Sequence, residues 1–197
     1  MNMVSDMEEF RLYGDRVYLR PITYDDTDLI VRWRNQENVI KYFFYRGEFT
    51  KESHERWIKE RIEKGEVVQF MVCMKEDDRP LGCTYIRDID RDNSKTEYGV
   101  FIGEEDARGR GIGKEILRLT VDYAFGELGL HRIYARVRET NKPSLYSFLH
   151  CGFEKEALLR DSVFSDGEYV NVVILGILNT KEMRSDKEDK GQTGASE

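Results

Sequence analysis

Apolar positions along this chain switch several times between alternating and helical spacing. Val17-Tyr18-Leu19-Arg20 alternates and predicts a first strand, stopped by Pro21. Thr23-Tyr24-Asp25-Asp26 has the spacing of a capping box, and Leu29, Ile30 and Trp33 follow at helical offsets. A second helical pattern, carrying Trp57, Ile58 and Ile62, starts after Thr50. Between these helices, Lys41-Tyr42-Phe43-Phe44-Tyr45-Arg46 is aromatic without a period and reads as a loop or short turn. Val67 to Met74 and Leu81 to Arg87 are β-rich runs joined by a polar loop, which predicts a hairpin. The charged turn Asp88 to Ser94 leads to a further strand, Glu97-Tyr98-Gly99-Val100-Phe101-Ile102.

Behind that strand stands Arg108-Gly109-Arg110-Gly111-Ile112-Gly113, three alternate glycines opening a segment where Ile116, Leu117, Val121 and Ala124 recur at helical offsets. Strand, glycine loop and helix together aim backbone N–H groups and a helix N-terminus at a phosphate. Glycine suits the turn because the missing Cβ permits φ > 0 and close approach of an anion. Arg108, Arg110 and Lys114 add positive charge beside it. A Walker A loop would need a hydroxyl where Glu115 follows Gly113-Lys114. A dinucleotide fingerprint would space its third glycine further on and sit at the start of a parallel domain. Neither fits.

The run Arg-Gly-x-Gly-x-Gly, closing a strand and opening a helix, resembles the acetyl-CoA pyrophosphate loop of the GNAT superfamily of N-acetyltransferases. The family's next elements are a strand, then a helix carrying an Asn and ending in Gly-Phe. Here they read His131-Arg132-Ile133-Tyr134-Ala135-Arg136-Val137, Asn141-Lys142-Pro143-Ser144 and Cys151-Gly152-Phe153. Order and spacing match over Glu97 to Phe153, and more loosely from Val17 to Leu178. The resemblance implies an α+β fold with a mixed, mostly antiparallel central sheet, flanking helices and one splayed parallel strand pair. That pair joins the Glu97 strand to the Ile133 strand through the Gly113–Phe125 helix. A closing hairpin turns at Ser165-Asp166-Gly167 and returns through Tyr169 to Leu178. The expected organisation is a leader over 1–10, one domain over 11–180 and a disordered charged tail over 181–197.

The resemblance also implies the chemistry. Acetyl-CoA is the expected co-substrate, with pantetheine in the splayed wedge against the backbone of Val100, Phe101 and Ile102. The expected cofactor contacts continue through Arg108, Gly109, Arg110, Gly111, Ile112, Gly113 and Lys114 to Asn141 and Ser144. Acetyl transfer needs an uncharged amine, a polarised thioester carbonyl and a proton for the departing thiolate. Glu97, where several relatives place a glutamate, is the expected base, with a solvated strand-end charge as the alternative. Many relatives carry a Tyr acid seven residues after the Asn and four before the Gly of Gly-Phe; this chain has Phe148 there. Tyr146 is two residues away, roughly 200° around a helix. Ser144 is therefore preferred as acid, with Tyr146, water or unassisted departure left open. Phe148 and the Asn-x-x-Ser form resemble the ribosomal-protein N-terminal acetyltransferase branch. A protein or peptide N-terminus is accordingly the expected acceptor. An amino sugar on a nucleotide, a polyamine and a silent acetyl-CoA-binding module are the alternatives. Trp33, Arg34, Asn35, Tyr42 and Tyr169 are the expected acceptor lining, and the alternating Arg132, Arg136 and Arg138 read first as a solvated face.

Composition narrows the partners. Over 197 residues the chain is 40% hydrophobic and 35% charged, with a formal net charge of −7. Acidic balance disfavours nucleic acid, and no apolar run reaches the roughly eighteen residues that span a bilayer. With no basic or apolar leader visible, a cytoplasmic protein is expected. Cys73, Cys83 and Cys151 form no metal-ligand pattern, and no metal is expected. Assembly as a homodimer is left open.

Overall fold

The computed structural model describes residues 10–45 and 47–180. The tail 181–197 and all of the expected leader except its last residue lie outside the described residues. That residue, Phe10, is packed rather than loose, its ring meeting those of Phe70 and Tyr123 at 6.2 and 5.8 Å.

Among the described residues, eight strands form one mixed sheet. They are β1 (Leu12–Tyr13), β2 (Val17–Pro21), β3 (Val67–Met74), β4 (Pro80–Asp90), β5 (Lys95–Ile102), β6 (Arg132–Arg138), β7 (Glu154–Ser165) and β8 (Glu168–Leu178). Their spatial order is β1-β2-β3-β4-β5-β6-β8-β7, antiparallel throughout except between β5 and β6. The helices are α1 (Thr27–Arg34), α2 (Glu37–Ile40), α3 (Lys51–Trp57), α4 (Ile112–Gly126) and α5 (Lys142–His150). The four-residue α2 interrupts what the sequence reads as loop, being too short to carry a period.

Local chemistry starts the helices where the pattern places them. Asp26 Oδ2 accepts the Thr23 N–H at 2.8 Å while Arg20 grips both carboxylate oxygens, tying the entry of α1 to β2. Burial would raise the Asp26 carboxyl, but these donors hold it below its ordinary value. Thr50 and Ser53 exchange side-chain-to-backbone bonds in a capping box at α3. Asn141 Oδ1 caps α5 by accepting the Ser144 N–H at 3.3 Å.

Alternation along β3 sorts its side chains between two cores. Met71 and Cys73 join Ile30, Trp33, Val39 and Ile58 beneath α1–α3. Phe70 and Val72 face Ile112 and Ile116 of α4 on the opposite side. Fully burying one such aliphatic or aromatic side chain contributes about 1.5–3 kcal/mol. A run apolar on both faces reads as continuous hydrophobicity, as it does here.

His54 lies in α3 with 3% exposure, its Nδ1 3.1 Å from Thr27 Oγ1. Burial, reinforced by the nearby Arg34 charge, pushes its imidazole down from 6.5 to about 4. As pH falls below the ordinary value, the unfolded chain takes up this proton before the folded one does. Stability should therefore fall between pH about 6.5 and about 4, by up to ~1.4 kcal/mol per pH unit. Urea midpoints collected over that range should drop for the native chain, and a His54→Gln variant should show a shallower slope. An unchanged slope would show that His54 titrates alike in both states.

Candidate active site

The site begins where the parallel pair opens. β5 and β6 pair only at Lys95↔Arg132, Thr96↔Ile133 and Glu97↔Tyr134. From Tyr98 onward no strand of the described residues lies against the β6-facing edge of β5, although β4 stays paired to its other edge through Ile102. A cavity of about 800 Å³ occupies this wedge, running from the glycine loop past β5 to the loop between α2 and α3. Val100, Phe101, Ile102, Asn141 and Ser144 all line it.

At one end lies the glycine loop. Gly109 and Gly111 adopt φ of 74° and 77°, and Gly111 is the left-handed N-cap of α4. Among the described residues, the backbone N–H groups of Gly109, Arg110, Gly111, Ile112 and Gly113 donate to no protein acceptor. A Cβ built on Gly109 would meet nothing within 4 Å, and one on Gly111 only the tip of Arg16. Unpaired donors around open space at a helix N-terminus are what a phosphate needs. Arg108 is committed elsewhere: its guanidinium donates to the carbonyls of Ile102 and Gly103 and fixes the loop to the end of β5. The Arg110 carbonyl accepts from Arg16 at 2.7 Å. Glu115 clamps the first turn of α4 to the backbone N–H groups of Arg16 and Val17. Lys114 sits above the Tyr146 ring at 4.5 Å.

At the apex, Glu97 is 5% exposed, and its Oε1 accepts from Arg87 at 2.9 Å and from Arg136 at 3.0 Å. Oε2 takes no hydrogen bond among the described residues, which leaves it for whatever enters the cavity. The expected acid candidates separate by face. Phe148 is buried, edge-on to Tyr98 at 5.6 Å and to Phe153 at 4.9 Å. Tyr146 is 54% exposed, its ring tilted against His150 and close to Lys114. Ser144 lines the cavity, and among the described residues its hydroxyl takes no hydrogen bond.

The chain as a whole is similar to known proteins. The family described as Acetyltransferase (GNAT) domain matches residues 16–154. The chain belongs to the GNAT acetyltransferases. It is similar to the probable N-acetyltransferase YjcK of Bacillus subtilis, 33% identical over 175 residues that cover 85% of this chain and 97% of that one. It is 26% identical to the spermidine N(1)-acetyltransferase of Vibrio cholerae, over 85% of this chain and 96% of the relative. The crystal structure of spermidine N-acetyltransferase from Vibrio cholerae in complex with CoA and spermine superposes with a TM-score of 0.81. That match covers 86% of this chain and 99% of the other at 24% identity. GNAT enzymes use acetyl-CoA as acetyl donor and transfer the acetyl group to an amine.

At the far end of the cavity of this GNAT enzyme, the expected acceptor residues divide. Arg34 and Tyr42 line the wall. Trp33 does not: it is wholly buried, bonded to Glu104 at 2.8 Å and laid against the end of β5, where Gly103 leaves no room for a Cβ. An apolar helix face sends its large residue to the core. Asn35 brackets the Phe49 backbone through both its N–H and carbonyl, and so holds the aromatic loop rather than contacting the cavity. Tyr169 lies on β8 outside the cavity lining, 65% exposed and against Phe164. Within the described residues of the predicted loop, Tyr42 to Tyr45 all line the cavity.

The even-numbered arginines of β6 are not simply solvated. Arg132 pairs with Glu156, Arg136 with Glu97, and buried Arg138 donates to the Phe43 carbonyl. Phe44 lies beneath both Arg136 and Arg138. The sequence reading also missed Tyr85 and Arg87, which line the same wall from β4. A signal existed: folding the chain back across the turn 88–94 sets Arg87 opposite Glu97, the register observed. Among the described residues, no group of three His, Cys, Asp or Glu could hold a metal, and no helix is long and apolar enough to cross a membrane.

Proposed function

We propose that this enzyme acetylates the α-amine of a protein or peptide N-terminus, using acetyl-CoA held by the glycine loop and the free edge of β5. The unpaired N–H groups of Gly109 to Gly113 would receive the pyrophosphate, while Asn141 and the β5 backbone would position the pantetheine arm. Acetyl-CoA supplies an activated thioester; the protein supplies alignment, a proton acceptor and a proton donor. Glu97 Oε2 accepts the amine proton directly or through water, and the Ser144 hydroxyl is the donor toward the departing sulfur, taking a proton from water as it gives its own.

The observation that carries the acceptor reading is charge. Arg34, Lys41, Arg87, Arg136 and Arg138 line the cavity toward the acceptor end, and they outnumber the two carboxylates, Glu97 and Glu105, among its described lining residues. Neighbouring cations favour the uncharged form of an amine. An α-amine, with an ordinary pKa of about 8, yields that form at neutral pH far more readily than an alkyl ammonium near 10.4. A polyamine would bring several positive charges into the same wall. Thiol release from acetyl-CoA should accordingly be faster with peptides bearing free N-termini than with spermidine, by at least ~10-fold in kcat/KM. Spermidine equalling or exceeding the peptides would overturn the acceptor assignment.

A further inference from the structure

One cation at the acceptor end contributes only its general charge to the chemistry above. Arg34 comes from the last turn of α1 and lines the cavity. Its guanidinium lies over the Phe49 ring at 4.0 Å and near Phe43 at 5.3 Å. Its Nε is buried with no hydrogen-bond partner, and no carboxylate of the described residues lies within ion-pairing distance. Its neighbours are otherwise placed: Arg87 and Arg136 share Glu97, and Arg138 holds the Phe43 carbonyl. Burial pulls the Arg34 guanidinium below its ordinary value, and the charge on Arg87 adds to the effect. Arginine nevertheless stays protonated, so this is a fixed, partly desolvated charge without a counter-ion. A planar fork backed by aromatic rings matches a carboxylate or phosphate, which can accept two parallel N–H bonds.

We infer that Arg34 is an anion subsite: the acceptor carries a carboxylate or phosphate that docks on this guanidinium while its amine faces Glu97. The inference rests on the transferase reading. The anion has two sources, an acidic side chain beside a peptide N-terminus or the phosphate of a small amine, and both supply the same oxyanion. Lys41 adds longer-range attraction on the same wall.

Two matched pairs test it: a Ser-Asp against a Ser-Asn peptide, and glucosamine 6-phosphate against glucosamine. The full chain should favour the anionic member of at least one pair by ~10-fold or more in kcat/KM, and the pair that shows it identifies the source. Arg34→Met, which keeps a stem between Phe43 and Phe49, should reduce that preference below ~3-fold, with Arg34→Lys between. Equal rates within both pairs would overturn the subsite and leave the transferase reading intact. A preference that survives Arg34→Met would also overturn it. Calorimetry of the four compounds on CoA-loaded protein separates the remaining case. Anion binding by the native chain but not by Arg34→Met, without turnover of any amine, would uphold the subsite and refute the acceptor chemistry.

Discussion

Gly111→Val should lower CoA affinity by at least ~100-fold, equivalent to about 2.7 kcal/mol, while the protein remains folded. Gly111 holds φ at 77° as the N-cap of α4. A β-branched residue there resists the left-handed conformation, at a cost of order 1–3 kcal/mol, and can turn the donor row away from its target. The protein itself has room for a Cβ, since only Arg16 Nη2 lies within 4 Å of that position. The added methyl groups would instead occupy the space in which a phosphate approaches. Lys114→Ala removes one surface charge and leaves the backbone donors in place, so it should cost less than ~10-fold. Calorimetric titration with CoA, checked by thermal unfolding of each variant, reads both effects. A larger loss from Lys114→Ala would show that charge, not the backbone cradle, carries cofactor binding.

Glu97→Gln should reduce kcat by ~100-fold or more near neutral pH and change CoA affinity by less than about twofold. The carboxylate sits where β5 and β6 part, with Oε1 engaged by Arg87 and Arg136 and Oε2 left to the cavity. Glutamine keeps the shape and an acceptor but cannot take a proton. If Glu97 receives the amine proton, raising the pH should shrink the defect, because more acceptor then arrives as the free base. Were Glu97 merely a counter-ion that orders two arginines, the loss would be the same factor at every pH. Rate profiles of native and variant enzyme from pH 6.5 to 9.5 therefore separate a base from a spacer. A near-normal rate throughout would remove Glu97 from the chemistry.

Much of the scaffold can be read from local sequence because its causes are local. The alternation of Val17 to Arg20, the box at Thr50 and the tight turn at Asp166-Gly167 each depend on a few consecutive residues. The same holds for the alternate glycines ahead of Ile116 and Leu117, whose spacing alone places a left-handed N-cap before an amphipathic helix. Trp33 and Asn35 were legible as helix residues but not in their roles. Whether an indole meets a ligand or the end of β5, and whether an amide meets a substrate or Phe49, depends on elements 14 to 71 residues away.

The order of the longer elements, the nest of glycine N–H groups and the family resemblance all follow from residue type at fixed spacing, whereas the two-residue β1 and four-residue α2 are too short to carry a period. The electrostatics around Arg34 and Glu97, by contrast, depends on contacts between distant elements. Arg87, Glu97 and Arg136 come from three strands and meet because the β4–β5 register and the parallel β5–β6 pairing set them side by side. Among the described residues Arg34 is left without a counter-ion by the same assembly, which gives Glu97 to two other arginines. Coulomb energy depends on separation and solvent access in space, and sequence spacing fixes neither once strands pair across long connections.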